Sequence, residues 1–186
     1  MSEVKILGIA GSLRQGSFNR ALLKNALELV PPGATLDIFD LHGIPVFSED
    51  DEKHVPAKVA ELKQKIRGSD AILFATPEYN YSIPGGLKNA IDWASRPYGD
   101  SAWIGKPAAI MGASLGRLGS ARAQYHLRQV CVYLQVEVLN FPEVMIANAH
   151  EHFDKAGRLN HESSRKAVGE LLTALADRVH LLRGKR

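Results

Sequence analysis

Five short apolar runs recur along this chain, and each is followed by turn residues and then by a segment of helical periodicity. Runs one, three and four contain almost only apolar or small residues, which is typical of strands buried on both faces of a parallel sheet. Run two alternates apolar and acidic residues, as an outer strand does. The predicted strands cover residues 4–10, 35–41, 71–77, 107–114 and 136–142.

The segments between these runs predict helices, and the alternation of strand and helix favours βαβ units. The predicted helices cover residues 18–30, 55–67, 84–95, 120–134 and 163–182. Five strands in a chain of this length predict an α/β fold, a flavodoxin-like doubly wound five-stranded parallel sheet with helices on both faces. Its strand order would be 2-1-3-4-5. We expect one domain over residues 1–186, because no repeat or linker divides the chain.

The net charge argues against a nucleic-acid-binding protein, and the cysteine content excludes a protein held together by disulfides within the chain. The net charge of +3 comes from scattered basic residues, which does not favour nucleic-acid binding. The single cysteine, Cys131, excludes a disulfide within the chain, and its apolar helical context indicates packing. The first residues do not resemble a signal peptide, and no apolar run approaches the ~18 residues of a membrane span. We therefore expect a cytoplasmic protein without a membrane partner.

Ligands of doubly wound sheets bind outside the carboxyl ends of the strands, where the strand order reverses. In the predicted order this point lies between strands one and three. The loops after residues 10, 75 and 112 are therefore expected to form the binding edge of the sheet.

The first of these loops has the composition of a phosphate site. Hydroxyls and backbone N–H groups at a helix N-terminus bind anions, and Arg14 adds a guanidinium group. Capping of the next helix by Ser17 or Asn19 is the simpler alternative, but it leaves Ser12 and Arg14 unexplained. The spacing fits neither a Walker A loop nor G-x-G-x-x-G. A terminal monophosphate suits the compact loop better than a bridging pyrophosphate.

The other two loops carry polar and aromatic residues to the same edge. Residues 77–80 (PEYN) follow the third strand, and residues 112–122 (GASLGRLGSAR) follow the fourth. A Gly- and Ser-rich loop is a weak signal alone. Three such loops at one switch point are a much stronger indication of a ligand site.

Three motifs in these loops together resemble those of the NADPH-dependent FMN reductase family. They are GSLRxxSxN, PEYNxSxPGxLKNAIDW and GxxxGRxGxxRAQ, and the likeness extends to about Asn148. Within that family the chain is similar to the branch of quinone and chromate reductases. The resemblance implies a flavodoxin-like fold, FMN bound without a covalent link, and assembly as a homodimer or homotetramer.

The resemblance also implies a role for each matching residue. Ser12, Arg14, Ser17 and Asn19 would hold the FMN phosphate. Pro77, Glu78, Tyr79 and Asn80 would lie beside the isoalloxazine, with the backbone of the last three near flavin N5, and Ser82 would be a secondary contact. Ser114 and Gly116 would lie near the pyrimidine end. Arg117 would meet either the nicotinamide dinucleotide or a neighbouring carboxylate.

The activity implied is an NAD(P)H oxidoreductase that needs no catalytic side chain, since a flavin carries its own reactivity. Hydride would pass from NADPH or NADH to FMN N5 in a ping-pong cycle, followed by two-electron reduction of quinones. Chromate, azo or nitro compounds would be incidental acceptors. A non-enzymatic flavodoxin-like electron carrier is the main alternative, and a nucleotide-binding regulatory module is another.

Several residues allow a second interpretation. Glu78 is a candidate general acid in a cleft, but a structural role in its loop is favoured. Tyr79 and Tyr81 would flank the flavin or a partner subunit. His150, His152 and His161 do not form a zinc ligand set with any cysteine, so no metal is expected.

Aromatic and basic residues at helix ends favour a subunit interface. They occur in two segments, residues 93–98 and residues 125–133. Core packing on one side and solvated surface on the other is the alternative. We expect a homodimer with the flavin near its interface, and a tetramer as a dimer of dimers.

Overall fold

A computed structural model describes residues 2–184, so Met1, Lys185 and Arg186 lie outside the described residues. The strands are β1 (Val4–Ala10), β2 (Ala34–Phe39), β3 (Ala71–Ala75), β4 (Pro107–Ala113), β5 (Glu137–Val138) and β6 (Val144–Ile146). The α-helices are α1 (Phe18–Ala26), α2 (Ala57–Gly68), α3 (Gly85–Ala94), α4 (Ala121–Tyr133) and α5 (Glu162–Arg183). Short 3₁₀ helices cover Leu27–Leu29, Glu49–His54 and Ala149–Glu151.

All strand pairs are parallel, and the order β2-β1-β3-β4-β5 is the predicted one. The prediction of one continuous fifth strand over residues 136–142 is wrong. Two short strands, β5 and β6, pair with successive parts of β4 instead. The chain between them includes Pro142, which has no N–H to donate to a ladder, and Phe141, whose side chain is exposed.

The helices cover the two faces of the sheet in separate sets. Helices α2, α3 and α4 pack on one face, and α1 and α5 pack on the other. Strand β3 shows why the third apolar run has no polar position. Ile72 and Phe74 pack in the core on the face covered by α2, α3 and α4, whereas Leu73 packs in the core on the face covered by α1 and α5. A strand buried on both faces must therefore be apolar throughout.

Backbone hydrogen bonds continue beyond the strands and hold the loops at the carboxyl edge. The Gly11 N–H donates to the Ala75 carbonyl at 2.9 Å, and the Thr76 N–H donates to the Met111 carbonyl at 3.0 Å. The Ser114 N–H donates to the Ile146 carbonyl at 2.9 Å. These bonds bring the loops after β1, β3 and β4 to one edge of the sheet. None of the helices within residues 2–184 has the length and apolar character to cross a bilayer.

Candidate active site

The loops after β1, β3 and β4 together line one open pocket of about 220 Å³ at the carboxyl edge. The structure therefore brings together side chains that lie far apart in the sequence. A direct contact joins two of the loops, because the hydroxyls of Ser12 and Tyr79 lie 3.2 Å apart. The lining residues of the pocket are Ser12, Arg14, Ser17, Phe18, Asn19, Pro77, Glu78, Tyr79, Ala113, Ser114 and Leu115.

The loop after β1 presents a set of donors with the chemistry of an anion site. Ser17 caps α1, and its hydroxyl accepts from the N–H groups of Asn19 and Arg20. The N–H of Phe18, in the first turn of α1, has no acceptor within residues 2–184. The Arg14 side chain is exposed and forms no ion pair within those residues. Hydroxyl, helix N-terminus and free guanidinium together fit a phosphate group.

Asn19 takes part in this site through the neighbouring strand. Its side-chain N–H donates to the Ala113 carbonyl at 2.8 Å, and its amide oxygen accepts from the Ala113 N–H at 2.9 Å. Both contacts are buried, so the two functional atoms of this amide are already paired. Asn19 thus fixes the end of β4 against the start of α1.

The loop after β3 forms a tight two-residue turn. Tyr79 and Ser82 exchange two backbone hydrogen bonds of 2.9 Å, and Asn80 and Tyr81 both have positive φ. This is the arrangement of a type I′ turn. The Tyr79 N–H is consequently occupied by the turn, whereas the N–H groups of Glu78 and Asn80 have no acceptor within the described chain. Of the three N–H groups expected near flavin N5, those of Glu78 and Asn80 are therefore available to a ligand.

The Glu78 side chain makes structural contacts. A structural role was also favoured over that of a general acid in the sequence analysis. Its carboxylate accepts hydrogen bonds from the N–H groups of Arg122 and Ala123, at 3.0 and 3.3 Å, in the first turn of α4. Residue Ser120 makes no side-chain cap there, so Glu78 supplies the missing acceptor. A carboxylate at this end of a helix is also favoured by the helix dipole.

Arg122 completes the arrangement, although the sequence pattern assigned it no role. Its guanidinium pairs with the Glu78 carboxylate and lies 3.5 Å from the centre of the Tyr81 ring. The hydrogen bond to Glu78 raises the pKa of Arg122 above its usual value. The motif GxxxGRxGxxRAQ did contain this residue, but only tertiary contact shows what it holds. The loop after β3 is thereby tied to α4.

Ser82 and the third loop extend the site. The Ser82 hydroxyl lies 2.7 Å from Nδ1 of His126 on α4. Ser114 accepts from the Gly116 N–H at 3.0 Å through its side chain, which fixes the start of the third loop. Arg117 is exposed and contacts no carboxylate within residues 2–184. Of its two predicted partners, the neighbouring carboxylate is therefore not found there.

Glycine is required where the third loop leaves β4. A Cβ at Gly112 would overlap the Ser120 hydroxyl and lie 2.5 Å from the Thr76 carbonyl oxygen. The second and third loops thus approach each other too closely for any side chain at this position.

Sequence reasoning also missed Phe18, although it lines the pocket and packs against Phe153 with ring centroids 5.3 Å apart.

The remaining candidates lie outside this pocket. His152 bonds to the Ser164 hydroxyl at 2.7 Å and packs against the His161 ring, with centroids 4.3 Å apart. No three His, Cys, Asp or Glu side chains in the described part of the chain are grouped to hold a metal ion. Burial raises the pKa of the Cys131 thiol to about 12, consistent with a packing role. Trp93 is buried in the core, so the expectation that it is an interface residue is wrong.

Comparison with known proteins identifies the family of this chain. Residues 4–151 match the family described as NADPH-dependent FMN reductase. The chain is 54% identical to an NAD(P)H-dependent FMN reductase of Pseudomonas aeruginosa over 183 residues, 98% of each chain. It is 45% identical to a 2-hydroxy-1,4-benzoquinone reductase of a Burkholderia species, covering 88% of this chain and 89% of the relative.

A solved structure agrees with these relatives. The flavoenzyme NAD(P)H:(acceptor) oxidoreductase of Paracoccus denitrificans superposes with a TM-score of 0.87 and 35% identity. The match covers 95% of this chain and 97% of that one. The fold is therefore shared over nearly the whole length.

Proposed function

This chain belongs to the NADPH-dependent FMN reductase family and is an NAD(P)H-dependent FMN oxidoreductase, and from that premise we propose that its three-loop pocket holds the cofactor. The observation that carries the proposal is the contact between the hydroxyls of Ser12 and Tyr79, which lie at hydrogen-bond distance. This contact joins the loop after β1, which has the donors of a phosphate site, to the aromatic loop after β3. When bound, FMN supplies the two-electron chemistry that links oxidation of NAD(P)H to reduction of an acceptor.

The FMN phosphate is assigned to the loop after β1. Arg14 provides the charged contact, while Ser12 and Ser17 with the start of α1 provide hydroxyl and N–H groups. Asn19, predicted as a direct contact, is assigned a supporting role because its amide is paired with Ala113. It keeps α1 at the distance from β4 that the pocket requires.

The isoalloxazine is assigned to the loop after β3. The free N–H groups of Glu78 and Asn80 serve as donors to the ring edge, and Pro77 and Tyr79 form its wall. Ser82 is a secondary contact, held by His126. Backbone donors that are fixed before the reaction stabilise developing negative charge without a proton-transfer step. The pyrimidine end is assigned to Ser114 and Gly116.

Quinones are the proposed physiological class of acceptor, since relatives of this chain are named quinone reductases. The pocket is open to solvent and lined in part by aromatic and aliphatic groups, which suits a flat apolar acceptor. Chromate, azo and nitro compounds are proposed as incidental acceptors at the same pocket.

The test is anaerobic spectroscopy of the purified protein after loading with FMN. We expect flavin absorption bands that bleach when NADPH is added under argon and return when a benzoquinone follows. A protein that takes up FMN but is not reduced by NADPH or NADH would show an electron carrier rather than a reductase. A protein that takes up no FMN would refute the cofactor assignment.

We also propose self-association as a homodimer, with a tetramer as a dimer of dimers. The support is an exposed set of aromatic side chains near the ends of α3 and α4, of which Tyr98 and Tyr133 are 77% and 76% exposed. A second copy of the chain is the proposed occupant. Sedimentation equilibrium tests this: Tyr133→Glu should shift the mass toward the monomer, and a monomeric wild-type protein would contradict it.

A cytoplasmic location is proposed because the electron donor, NAD(P)H, is supplied in that compartment. Fractionation of the source cells, with NAD(P)H:quinone activity followed through each fraction, checks the assignment.

A further inference from the structure

Two guanidinium groups in the described chain lack any protein acceptor, and both belong to loops at the carboxyl edge. They are those of Arg14 and Arg117. The other arginines within residues 2–184 contact a carboxylate or a backbone carbonyl. Arg14 lies with the hydroxyls and helix N-terminus assigned to the FMN phosphate. Arg117 is therefore a second exposed guanidinium without a protein acceptor in the described chain, and it lies two residues beyond Leu115, which lines the pocket.

The loop that carries Arg117 is held in place on both sides. The Ser114 N–H donates to Ile146, and the Asn148 N–H donates to the Gly116 carbonyl at 3.3 Å. Gly119 has a φ of +54°, and a Cβ there would lie 2.6 Å from the Met145 carbonyl oxygen. A loop whose backbone is fixed in this way loses little backbone freedom when it binds a ligand.

Exposed leucines stand on both sides of Arg117. Leu115 is 61% exposed and also lines the pocket, and Leu118 is 50% exposed. A guanidinium group forms paired hydrogen bonds to phosphate oxygens. Aliphatic side chains beside it offer contact area to a flat apolar group such as a purine. The chemistry of the loop therefore fits a purine nucleoside bearing a phosphate.

We propose that Leu115, Arg117 and Leu118 bind the adenosine 2′-phosphate of NADPH and that Arg117 makes this enzyme prefer NADPH to NADH. The two donors differ only in that phosphate, so a guanidinium placed at it discriminates between them directly. The inference rests on the proposed function and names the donor that the same pocket uses.

The experiment compares Arg117→Gln with Arg158→Gln, which removes an exposed arginine from a loop outside the pocket. KM values for NADPH and NADH are measured with one saturating quinone. We expect Arg117→Gln to raise the KM for NADPH about tenfold or more and that for NADH less than about twofold. Arg117→Lys should retain part of the preference, because lysine keeps the charge and loses the paired geometry.

A binding measurement supplies a readout that does not depend on turnover. Calorimetry of the FMN-loaded protein should detect 2′-AMP binding that is lost in Arg117→Gln and kept in Arg158→Gln. The wild-type protein and Arg158→Gln should bind 5′-AMP more weakly than 2′-AMP. An equal rise in both KM values would place Arg117 at the shared pyrophosphate and overturn the proposal. Unchanged KM values, or an altered oligomeric mass in Arg117→Gln, would overturn it as well.

Different outcomes refute the proposed function and the role of Arg117. A wild-type protein that takes up no FMN or oxidises neither donor refutes the proposed function. A wild-type protein that reduces quinones, together with an Arg117→Gln variant of unchanged donor preference, refutes only this inference.

Discussion

The carboxylate of Glu78 lies 3.0 Å from the backbone nitrogen of Arg122 and accepts its hydrogen, while the guanidinium of the same arginine pairs with that carboxylate. One side chain from the loop after β3 thus satisfies the start of α4. Helix N-termini carry several N–H groups without intrahelical partners, and burial without an acceptor is unfavourable. The turn that follows Glu78 therefore has a fixed position relative to α4.

Replacing Glu78 should destabilise the protein in proportion to the contacts removed. Glu78→Ala removes the acceptor and the ion pair, and we expect it to lower the free energy of unfolding by about 1–3 kcal/mol. Glu78→Gln keeps a neutral acceptor and should have a smaller effect. Urea unfolding measures both. Glu49→Ala is the control, because it breaks an exposed ion pair with Arg96 that should contribute less than about 1 kcal/mol. Equal losses in the Glu78 and Glu49 variants would contradict the capping role.

Removing the Arg14 side chain should weaken FMN binding and leave folding unchanged. A charge-assisted contact to phosphate contributes roughly 1–3 kcal/mol, so the dissociation constant of FMN should rise about 10- to 100-fold. Quenching of FMN fluorescence on titration with the protein measures this. Arg158→Ala should bind FMN as the wild type does, and an Arg14→Ala variant of unchanged affinity would show that the phosphate lies elsewhere.

Asn19 and Asn25 offer a matched pair of buried amides. The side chain of Asn19 donates a hydrogen bond to the Ala113 carbonyl and accepts one from the Ala113 N–H. The side chain of Asn25 donates to the Gly157 carbonyl and accepts from the Leu159 N–H, away from the pocket. Each alanine variant leaves buried backbone groups unpaired and should lower the free energy of unfolding by about 1–3 kcal/mol. Only Asn19→Ala should also weaken FMN binding. Equal FMN affinity in the two variants would remove Asn19 from the support of the site.

Two glycines should respond to alanine in opposite directions. Gly112→Ala places a Cβ against the Ser120 hydroxyl and the Thr76 carbonyl, and we expect a loss of at least ~2 kcal/mol together with weaker FMN binding. Gly169 lies inside α5, and a methyl group there would meet no neighbouring atom within 4 Å, so Gly169→Ala should stabilise by about 0.5–1 kcal/mol. Thermal unfolding gives both signs, and a Gly112→Ala variant of wild-type stability would disprove the close approach of the two loops.

Lowering the pH should reduce the free energy of unfolding, and His152 should account for part of this loss. Burial, reinforced by the neighbouring His161, lowers the pKa of His152 in the folded protein. The unfolded chain then binds this proton more readily, so stability falls as pH drops below the unfolded value of about 6.5. Unfolding free energies measured from about pH 7.5 down to about pH 5 should fall less steeply for His152→Gln. An identical pH slope in the variant would exclude this contribution.

The sequence alone determined which segments build the sheet and which loops surround the ligand. Unbroken apolar runs identify strands buried on both faces, as Ile72, Leu73 and Phe74 illustrate. Strand order then places the loops after β1, β3 and β4 at one edge, because parallel strands end on the same side. The motifs in those loops indicated the cofactor. These features depend on local pattern and on topology, both of which the chain records directly.

Only the tertiary structure decided which polar atoms in those loops remain free for a ligand. The amide of Asn19 is paired with Ala113, and the Tyr79 N–H is paired within its own turn. Arg122 is bound by Glu78, while Arg117 is left without a protein acceptor among the described residues. The fifth strand is divided because β4 pairs with two short segments around Phe141 and Pro142. The physical reason is that each of these outcomes depends on hydrogen-bond geometry, mostly between residues far apart in sequence, which residue type and spacing do not specify.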